Sequence, residues 1–306
     1  MREQIIQIGQ SAAPVRLSVI TPFHRYDASP LLERMRAPPA GVEFILLDDG
    51  SQSAALLARI ADAAYKLGAP VRIIVWDKNR GRAAARNRLI DETRGAYVLM
   101  LDADMLPDEP DFLQRWLDVA DLQAPQAAFG GLSLRHVTAT ALTALHHDMF
   151  ARSDCRPAIE RQHSPAQFTA SSNLMVRRSF LADHPFDNAF VGWGFEDVEW
   201  ALRANAHAPV LHVDNPATHA GLDDVETLLR KSTQAGPNFA RLARLHPTSV
   251  SRFAAYRVAT VLRRLPLRGT LRGVSANITR MSLLPTAARR MALKLFRASH
   301  YAEHMA

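Results

Sequence analysis

Only one cysteine, Cys155, occurs among the 306 residues. That excludes an internal disulfide framework and a four-cysteine zinc site, and it suits a reducing compartment. No stretch approaches the roughly eighteen uninterrupted apolar residues that a transmembrane helix needs. The opening MREQIIQIGQSAAP has too short an apolar run for a secretory signal. The 14 glycines and 18 prolines follow no triplet period, so the chain is not collagen-like. There is no internal repeat and no low-complexity linker. Acidic residues are scarce in one region alone: from Arg241 onward, thirteen Arg and Lys face a single acid, Glu303. Residues 1–240 carry 24 basic and 29 acidic side chains. The net charge of +7 and the high pI therefore belong to the tail, and the body is mildly acidic. What remains is ordinary globular composition, 48% hydrophobic and 22% charged. It is enough for one large α/β domain with an appendage, or two modest domains.

The body alternates strands with helices. Val15 to Thr21 (VRLSVIT) is a β-rich run ended by Pro22. Leu31 to Met35 suggests a short helix. Val42 to Leu47 is apolar and closes on Asp48-Asp49-Gly50-Ser51. Ala54 to Leu67 has helical periodicity, Val71 to Trp76 is a third strand, and Arg82 to Arg94 reads as a helix. Tyr97 to Leu101 (YVLML) is a fourth strand, ending in Asp102-Ala103-Asp104. Near-continuous apolar strands between helices predict a mostly parallel sheet covered on both faces. Ligands of such sheets sit beyond the carboxyl ends of the strands. Thr21, Asp48, Asp49, Asp102 and Asp104 all fall there.

The second half is less regular. Helices are expected over Asp111 to Leu122 and Glu196 to Ala206, and strands over Ala128 to Leu134, Phe168 to Val176 and Val210 to Val213. The third of these strand runs precedes His219. The second brings Ser171, Ser172 and Asn173 near the site. After about Pro247 the pattern is Arg-rich helix with apolar and basic residues interleaved, as in a surface-lying amphipathic segment.

Four segments carry chemistry. Asp102-Ala103-Asp104 after a buried strand offers hard oxygen ligands for Mg²⁺ or Mn²⁺, provided that the loop bends to aim both carboxylates at one ion. Taken alone, such a triplet is as well explained by a solvated turn. Asp48 or Asp49 at a strand end can accept an imide N–H or bind a ribose hydroxyl. The plainer reading is an Asx-turn, with Ser51 or Ser53 capping the next helix. Asn79-Arg80-Gly81-Arg82-Ala83-Ala84-Ala85-Arg86-Asn87 opens a helix near a strand end, where the helix N-terminus favours phosphate and Arg82 or Arg86 can add charge-assisted bonds. The alternative is a helix with solvated arginines. Gly192-Trp193-Gly194-Phe195-Glu196-Asp197 combines a flat indole, suited to a sugar ring, with adjacent acids at a helix start that can orient or deprotonate a hydroxyl. Those acids could equally serve the helix dipole. Of twelve histidines most read as structural or solvated, including His146, His147 and His163. His219 can complete a Mn²⁺ shell begun by Asp104, with His212 its closest impostor.

Taken in order, VITPFHR, FILLDDGS, NRGRAAARN, GAYVLMLDADMLP, SSNLMVRRSFL, FDNAFVGWGFEDVEWALRA and His219 resemble the family 2 glycosyltransferases of the Rossmann-like GT-A fold, over about Leu17 to His219. The GWGFED segment is also similar to the acid-bearing motif of galactosyl- and N-acetylgalactosaminyltransferases and of chondroitin-polymerase-like enzymes. The resemblance implies a domain over 15–246, with a nucleotide-binding half at about 15–107 and an acceptor half at about 108–246. It would lie between an N-terminal extension, 1–14, and a basic helical tail, 247–306. It implies that Thr21, Pro22 and Asp48 or Asp49 line a nucleoside pocket, and that Asn79, Arg82 and Arg86 lie near the diphosphate or the helix that cradles it. Asp102 would touch ribose or sugar. Asp104 and His219 would hold Mn²⁺ or Mg²⁺. Ser172, Asn173, Trp193 and Gly194 would meet the acceptor or sugar, and Glu196 and Asp197 would face both, with Asp197 as base. The glycine usual before the FDE-like segment is absent at Ala182-Asp183-His184-Pro185-Phe186-Asp187.

The implied activity is inverting transfer of a sugar from a nucleotide sugar, UDP-linked by resemblance, to a hydroxyl of a glycan or lipid-linked acceptor. Two other functions compete. A nucleotidyltransferase shares the sheet and acidic site, but needs a Gly-rich triphosphate loop where this chain has TPFHRYDASP. A non-catalytic lectin-like scaffold would have lost acids, and Asp102, Asp104, Glu196 and Asp197 are all present. The tail suits an anionic membrane surface or lipid-linked acceptor, or else packs on the body or a second subunit. Specific nucleic-acid binding is not expected, since no recognition module accompanies the charge. The expected location is cytoplasmic, peripheral at the inner face of the membrane.

Overall fold

The computed structural model describes residues 3–10 and 13–305. Residues 1, 2, 11 and 12 of the expected extension, and residue 306, lie outside them. The strands are β1 (Glu3–Ile8), β2 (Leu17–Phe23), β3 (Val42–Asp48), β4 (Val71–Trp76), β5 (Tyr97–Leu101), β6 (Met105–Pro107), β7 (Ala127–Phe129), β8 (Leu132–Ser133), β9 (Asn173–Arg177), β10 (Leu211–His212) and β11 (Ala217–His219). The helices of the body are α1 (Ser29–Arg34), α2 (Ala54–Tyr65), α3 (Arg82–Asp91), α4 (Phe112–Leu122), α5 (Ala144–Ser153), α6 (Ala158–Arg161), α7 (Pro165–Phe168), α8 (Arg178–Asp183) and α9 (Glu196–His207). The later helices are α10 (Val225–Leu245), α11 (Pro247–Val250), α12 (Ala254–Arg263), α13 (Arg268–Arg280) and α14 (Thr286–His304).

Eight strands form one sheet in the order β1-β4-β3-β2-β5-β9-β7-β10. Its centre, β4-β3-β2-β5, is parallel, as the buried apolar runs require. Every residue of β3 and β5 is buried. Outside that centre β1 runs antiparallel to β4, and β9 runs antiparallel to both β5 and β7, while β10 pairs with β7 in parallel, so the sheet is mixed at its margins. The N-terminal extension supplies the edge strand β1, whose EQIIQI lies mostly exposed against β4. The strand expected from Ala128 to Leu134 breaks at Gly130-Gly131 into β7 and β8, which join different sheets.

A second sheet, β6-β11-β8, was not apparent from the sequence. Buried Asp108 fastens it, accepting hydrogen bonds from Ser133 Oγ at 2.8 Å and Thr218 Oγ1 at 2.7 Å. Its register sets His219 opposite Met105, next to Asp104.

One apolar core fills both faces of the large sheet. Another joins Phe239 and Leu242 of α10 to Val250, Ala259 and Leu262, and to Ala298 and Tyr301 of α14. Packing therefore does not break at 246/247: α10 shares its core with the helices of the tail. Among the described residues no helix is long and apolar enough to cross a membrane.

Candidate functional site

A cleft of about 680 Å³ opens at the carboxyl edge of β2, β3 and β5. That lies within the usual range for small-molecule sites, roughly 300–1,000 Å³. One wall carries Pro22, His24, Asp49, Asn79, Arg82 and Asp102; the opposite wall carries Val191, Trp193, Asp223, Lys231 and Gln234.

The first wall is organised by Asp49. Its carboxylate accepts the backbone N–H of Arg80 at 2.6 Å and of Gly81 at 3.0 Å, so it shapes the loop before α3. Its carbonyl accepts from His24 Nδ1 at 2.8 Å and from Asn79 Nδ2 at 3.3 Å. Asp48 does the plainer job weighed for this pair: it is buried and accepts the N–H of Ser51 at 2.8 Å, an Asx-turn away from the cleft. Ser53 caps α2. Gly50 lets the turn and the loop touch. Its φ is +75°, and a Cβ there would lie 2.3 Å from the Lys78 carbonyl carbon. Gly81 precedes α3 with no side chain capping the helix, and Arg82, the first helical residue, is exposed in the cleft. An uncapped helix N-terminus beside an exposed guanidinium is an anion site in chemistry.

Arg86 departs from expectation. It is 1% exposed and donates to Asp102 Oδ1 and to Glu196 Oε1, each at 3.0 Å. Burial works against its charge, but Asp102, Glu196 and Asp197 outweigh that and raise its pKa. Arg86, on the helix that borders the cleft, thus serves two carboxylates. Glu196 is buried in that pair and does not line the cleft. Thr21 is buried within β2, and neither it, Ser172 nor Gly194 lines the cleft. Asn173 is also structural: fully buried, it donates through Nδ2 to the carbonyls of Gly131 at 2.8 Å and Asn215 at 2.9 Å.

Asp104 and His219 meet as expected, with Oδ2 and Nε2 3.3 Å apart. Burial pushes the Asp104 pKa up, but the hydrogen bond and charge of His219 prevail and lower it. Burial disfavours the imidazolium of His219, yet Asp104 overrides this and raises its pKa. Phe150 stacks on the His219 ring at 4.8 Å, and His146 meets its edge at 5.7 Å. His146 Nδ1 accepts the Asp223 N–H at 2.7 Å, and burial lowers its pKa to about 4. Gly221 closes over the pair; a Cβ there would stand 2.1 Å from Asp104 Oδ2. One carboxylate oxygen and one imidazole nitrogen fit Mn²⁺ better than Mg²⁺, which prefers oxygen alone. Among the described residues no cluster of three or more His, Cys, Asp or Glu is placed to hold an ion. Two protein ligands would leave the remaining positions to substrate oxygens and water.

The far wall hangs from a strained turn. Gly192, Gly194 and Phe195 all have positive φ, at 84°, 93° and 73°. A non-glycine residue in that region costs free energy that its surroundings must supply. Asn238 of α10 supplies part, its Nδ2 donating to the carbonyls of Val191 at 3.1 Å, Trp193 at 3.4 Å and Gly194 at 3.0 Å. Phe195 packs on Phe239 and on Tyr301 of α14, with ring centroids 5.2 and 5.7 Å apart. Lys231 lies 5.8 Å from the Trp193 ring and pairs with Asp223 at 2.7 Å. Asp197 accepts the N–H of Val198 at 2.8 Å and feels Arg86 and Arg82, but does not itself line the cleft. Burial, with Glu196 beside it, raises its pKa to about 6.

Sequence reading passed over Asn238, Gly221, Asp108 and Phe150. Asn238 and Phe150 sit inside helical patterns and show their roles only in contact. Gly221, two residues after His219, carried the one usable signal. His212 is structural as expected, its ring bonded to Arg161 and the Pro165 carbonyl.

Comparisons with known proteins agree with this architecture. Residues 18–184 match the model of the family described as Glycosyl transferase family 2. The chain is 28% identical over 172 residues to glycosyltransferase AglE of Haloferax volcanii, covering 55% of this chain and 52% of AglE. It is 33% identical over 103 residues to a dodecaprenyl-phosphate galacturonate synthase of Rhizobium johnstonii, covering 32% of this chain and 30% of that one. The chain thus spans about half the length of AglE and less of the synthase. In structure it is similar to the mannosyltransferase PcManGT of Pyrobaculum calidifontis, solved with GDP-Man and Mn²⁺, with a TM-score of 0.58 over 95% of this chain and 88% of that one, at 16% identity. That likeness identifies the fold as GT-A. With more than half of its length matched by the family model, the chain belongs to glycosyl transferase family 2.

Proposed function

We propose that this protein is a metal-dependent, inverting glycosyltransferase that moves a sugar from a nucleotide sugar to a hydroxyl of a glycan or lipid-linked acceptor. The observation that carries this reading is the Arg86 bridge. It ties the Asp102 strand end to the GWGFED turn, so that donor-type and acceptor-type walls share one cleft. UDP is favoured as the nucleotide by the resemblance of the GWGFED turn to galactosyltransferases. The relatives support a sugar donor more broadly: PcManGT was solved with GDP-Man.

Asp104 and His219 would hold Mn²⁺, which when bound supplies positive charge to a leaving diphosphate. Arg82 and the open N-terminus of α3 bind that diphosphate from the other side. Asp49 keeps their loop in place. Trp193 presents its ring to a sugar. Asp197, ionised above its pKa of about 6, takes the proton of the acceptor hydroxyl at neutral pH. Arg86 neither binds nor reacts; it holds Asp102 and Glu196 in register and keeps Asp197 beside a positive charge. Asp197 stands behind the cleft wall, so this role requires the turn at 192–195 to move aside for the acceptor. The basic tail supports placement in the cytoplasm, peripheral at the inner face of the membrane.

The test is a thermal-shift screen of UDP-, GDP- and dTDP-sugars with Mn²⁺ or chelator, on wild type and Asp104→Ala, followed by product analysis. Metal-dependent stabilisation by one nucleotide class, lost in the variant, with nucleoside diphosphate released, is the expected result. Release of pyrophosphate would assign nucleotidyl transfer instead. No response from folded protein would return the scaffold reading.

A further inference from the structure

The cations of the tail are not all alike. Acids of the body or of the tail itself engage several of them: Asp187 holds Arg241, Glu226 holds Arg280, Asp148 holds Arg290, and Glu303 holds Arg272. Arg257 and Arg264 engage no acid among the described residues, and both are exposed. They belong to α12 and the residue that caps it. On the same outward side lie Val258 and Val261, and the turn that leads into α13 adds Leu265 and Leu267. These four apolar side chains are between 40 and 70% exposed. At about 100° per residue, 257, 261 and 264 fall together on the side of the helix opposite the buried Ala259 and Leu262, with Val258 at its margin. Among the described residues no element of the body closes over this face, and α12 is held from behind by α14 through a shared core.

The geometry points to this face, α12 with the 265–267 turn, as a docking surface for an anionic lipid bilayer. Charge selects that occupant. A second copy would bring Arg257 and Arg264 against their own kind. A nucleic acid would answer the arginines and offer nothing to four exposed aliphatic side chains. A leaflet with anionic headgroups satisfies both, with Leu265 and Leu267 entering the headgroup–acyl boundary and the guanidiniums remaining among phosphates. The assignment rests on the peripheral placement proposed above and specifies the residues that make it. It requires nothing of the cleft.

The experiment is flotation of the full chain with vesicles of phosphatidylcholine alone and of phosphatidylcholine mixed with phosphatidylglycerol, at low and high salt. Binding is expected only to the anionic vesicles and should weaken as salt rises. A charge near an anionic leaflet is worth about fivefold in partitioning, so Arg257→Gln with Arg264→Gln should weaken binding roughly 25-fold. Leu265→Ser with Leu267→Ser should weaken it about tenfold or more. All four substitutions lie on exposed or rim positions, and the melting temperature and donor-induced shift should match wild type. Absence of binding to anionic vesicles would overturn both this surface and the peripheral placement. Undiminished binding by both double variants would leave the placement standing and remove this face from it. Loss with the arginine pair but not the leucine pair would indicate a soluble polyanion. A dimer by light scattering that the leucine variant dissociates would assign the face to a second copy. None of these outcomes bears on whether the cleft transfers sugar.

Discussion

Side chains on the near wall of the cleft, from Pro22 to Asp102, sit where parallel strands end, and the sheet itself holds them in place. Those on the far wall, from Val191 to Gln234, sit on a left-handed turn and on the helix that props it. The near wall is local in sequence and stiff: Asp49 and Gly50 lock one loop onto the next. The far wall is assembled from distant pieces, Asn238 and Tyr301 among them, and the residue proposed to take the proton stands behind it. A donor needs a preformed cradle, whereas an acceptor must enter after it. The division of rigidity between the walls suits that order.

Arg86 is where the two walls meet, so its loss tests the contrast most severely. Arg86→Met would leave buried Glu196 and half-buried Asp102 without their partner, at a cost of about 3 kcal/mol. Chemical denaturation should show that loss, and donor binding and turnover should fall together. If stability holds, the bridge is not what joins the walls.

Asp197→Asn should separate them. Turnover is expected to fall about 10²- to 10⁴-fold while donor-induced thermal stabilisation persists. The native state raises this carboxyl to about 6, so above that pH ionisation works against folding. The Asn variant should therefore melt higher than wild type at pH 8 and gain less at pH 5. Retained turnover would remove Asp197 from its role.

Gly50→Ala addresses the near wall alone. A Cβ against the Lys78 carbonyl carbon, at positive φ, should cost about 3 kcal/mol or more. It should weaken donor binding through the displaced Arg80-Gly81 loop. Asn238→Ala addresses the far wall alone. Three carbonyls lose their donor, for about 1–3 kcal/mol, and KM for acceptor should rise with donor affinity unchanged. Equal effects of the two variants on donor binding would erase the distinction.

The mildest test is pH. With Asp197 as base, kcat should fall about tenfold per pH unit below about 6 and level off above it. A profile flat from pH 5 to 8 would exclude that assignment.

The same contrast governs what could be read from sequence. β2 to β5 follow from apolar runs of five to seven residues, and their ends follow from the acids after them. The β6-β11-β8 sheet could not be read this way, because strands of two or three residues show no periodicity. His219 was nonetheless found, from its place after the acid-bearing helix. Its neighbour Phe150 was not, because helical spacing marks Phe150 only as apolar. Asp48 and Asp49 were indistinguishable, since composition does not say which of two adjacent carboxylates turns inward. Arg86 was misjudged for a related reason: a helix-borne arginine looks solvated until the sheet buries it between two acids.

Tyr301 stacks on Phe239 and meets the edge of Phe195, so the turn at 192–197 leans on a helix made about a hundred residues after it. At a synthesis rate of roughly 5–20 residues per second, a nascent chain would carry the near-wall segment, which ends at Asp102, for roughly 10–40 s before α14 is complete to support the far one. During that interval the turn at 192–197 would lack the Tyr301 ring on which Phe195 packs. The far wall therefore takes its final packing only after α14 has been made.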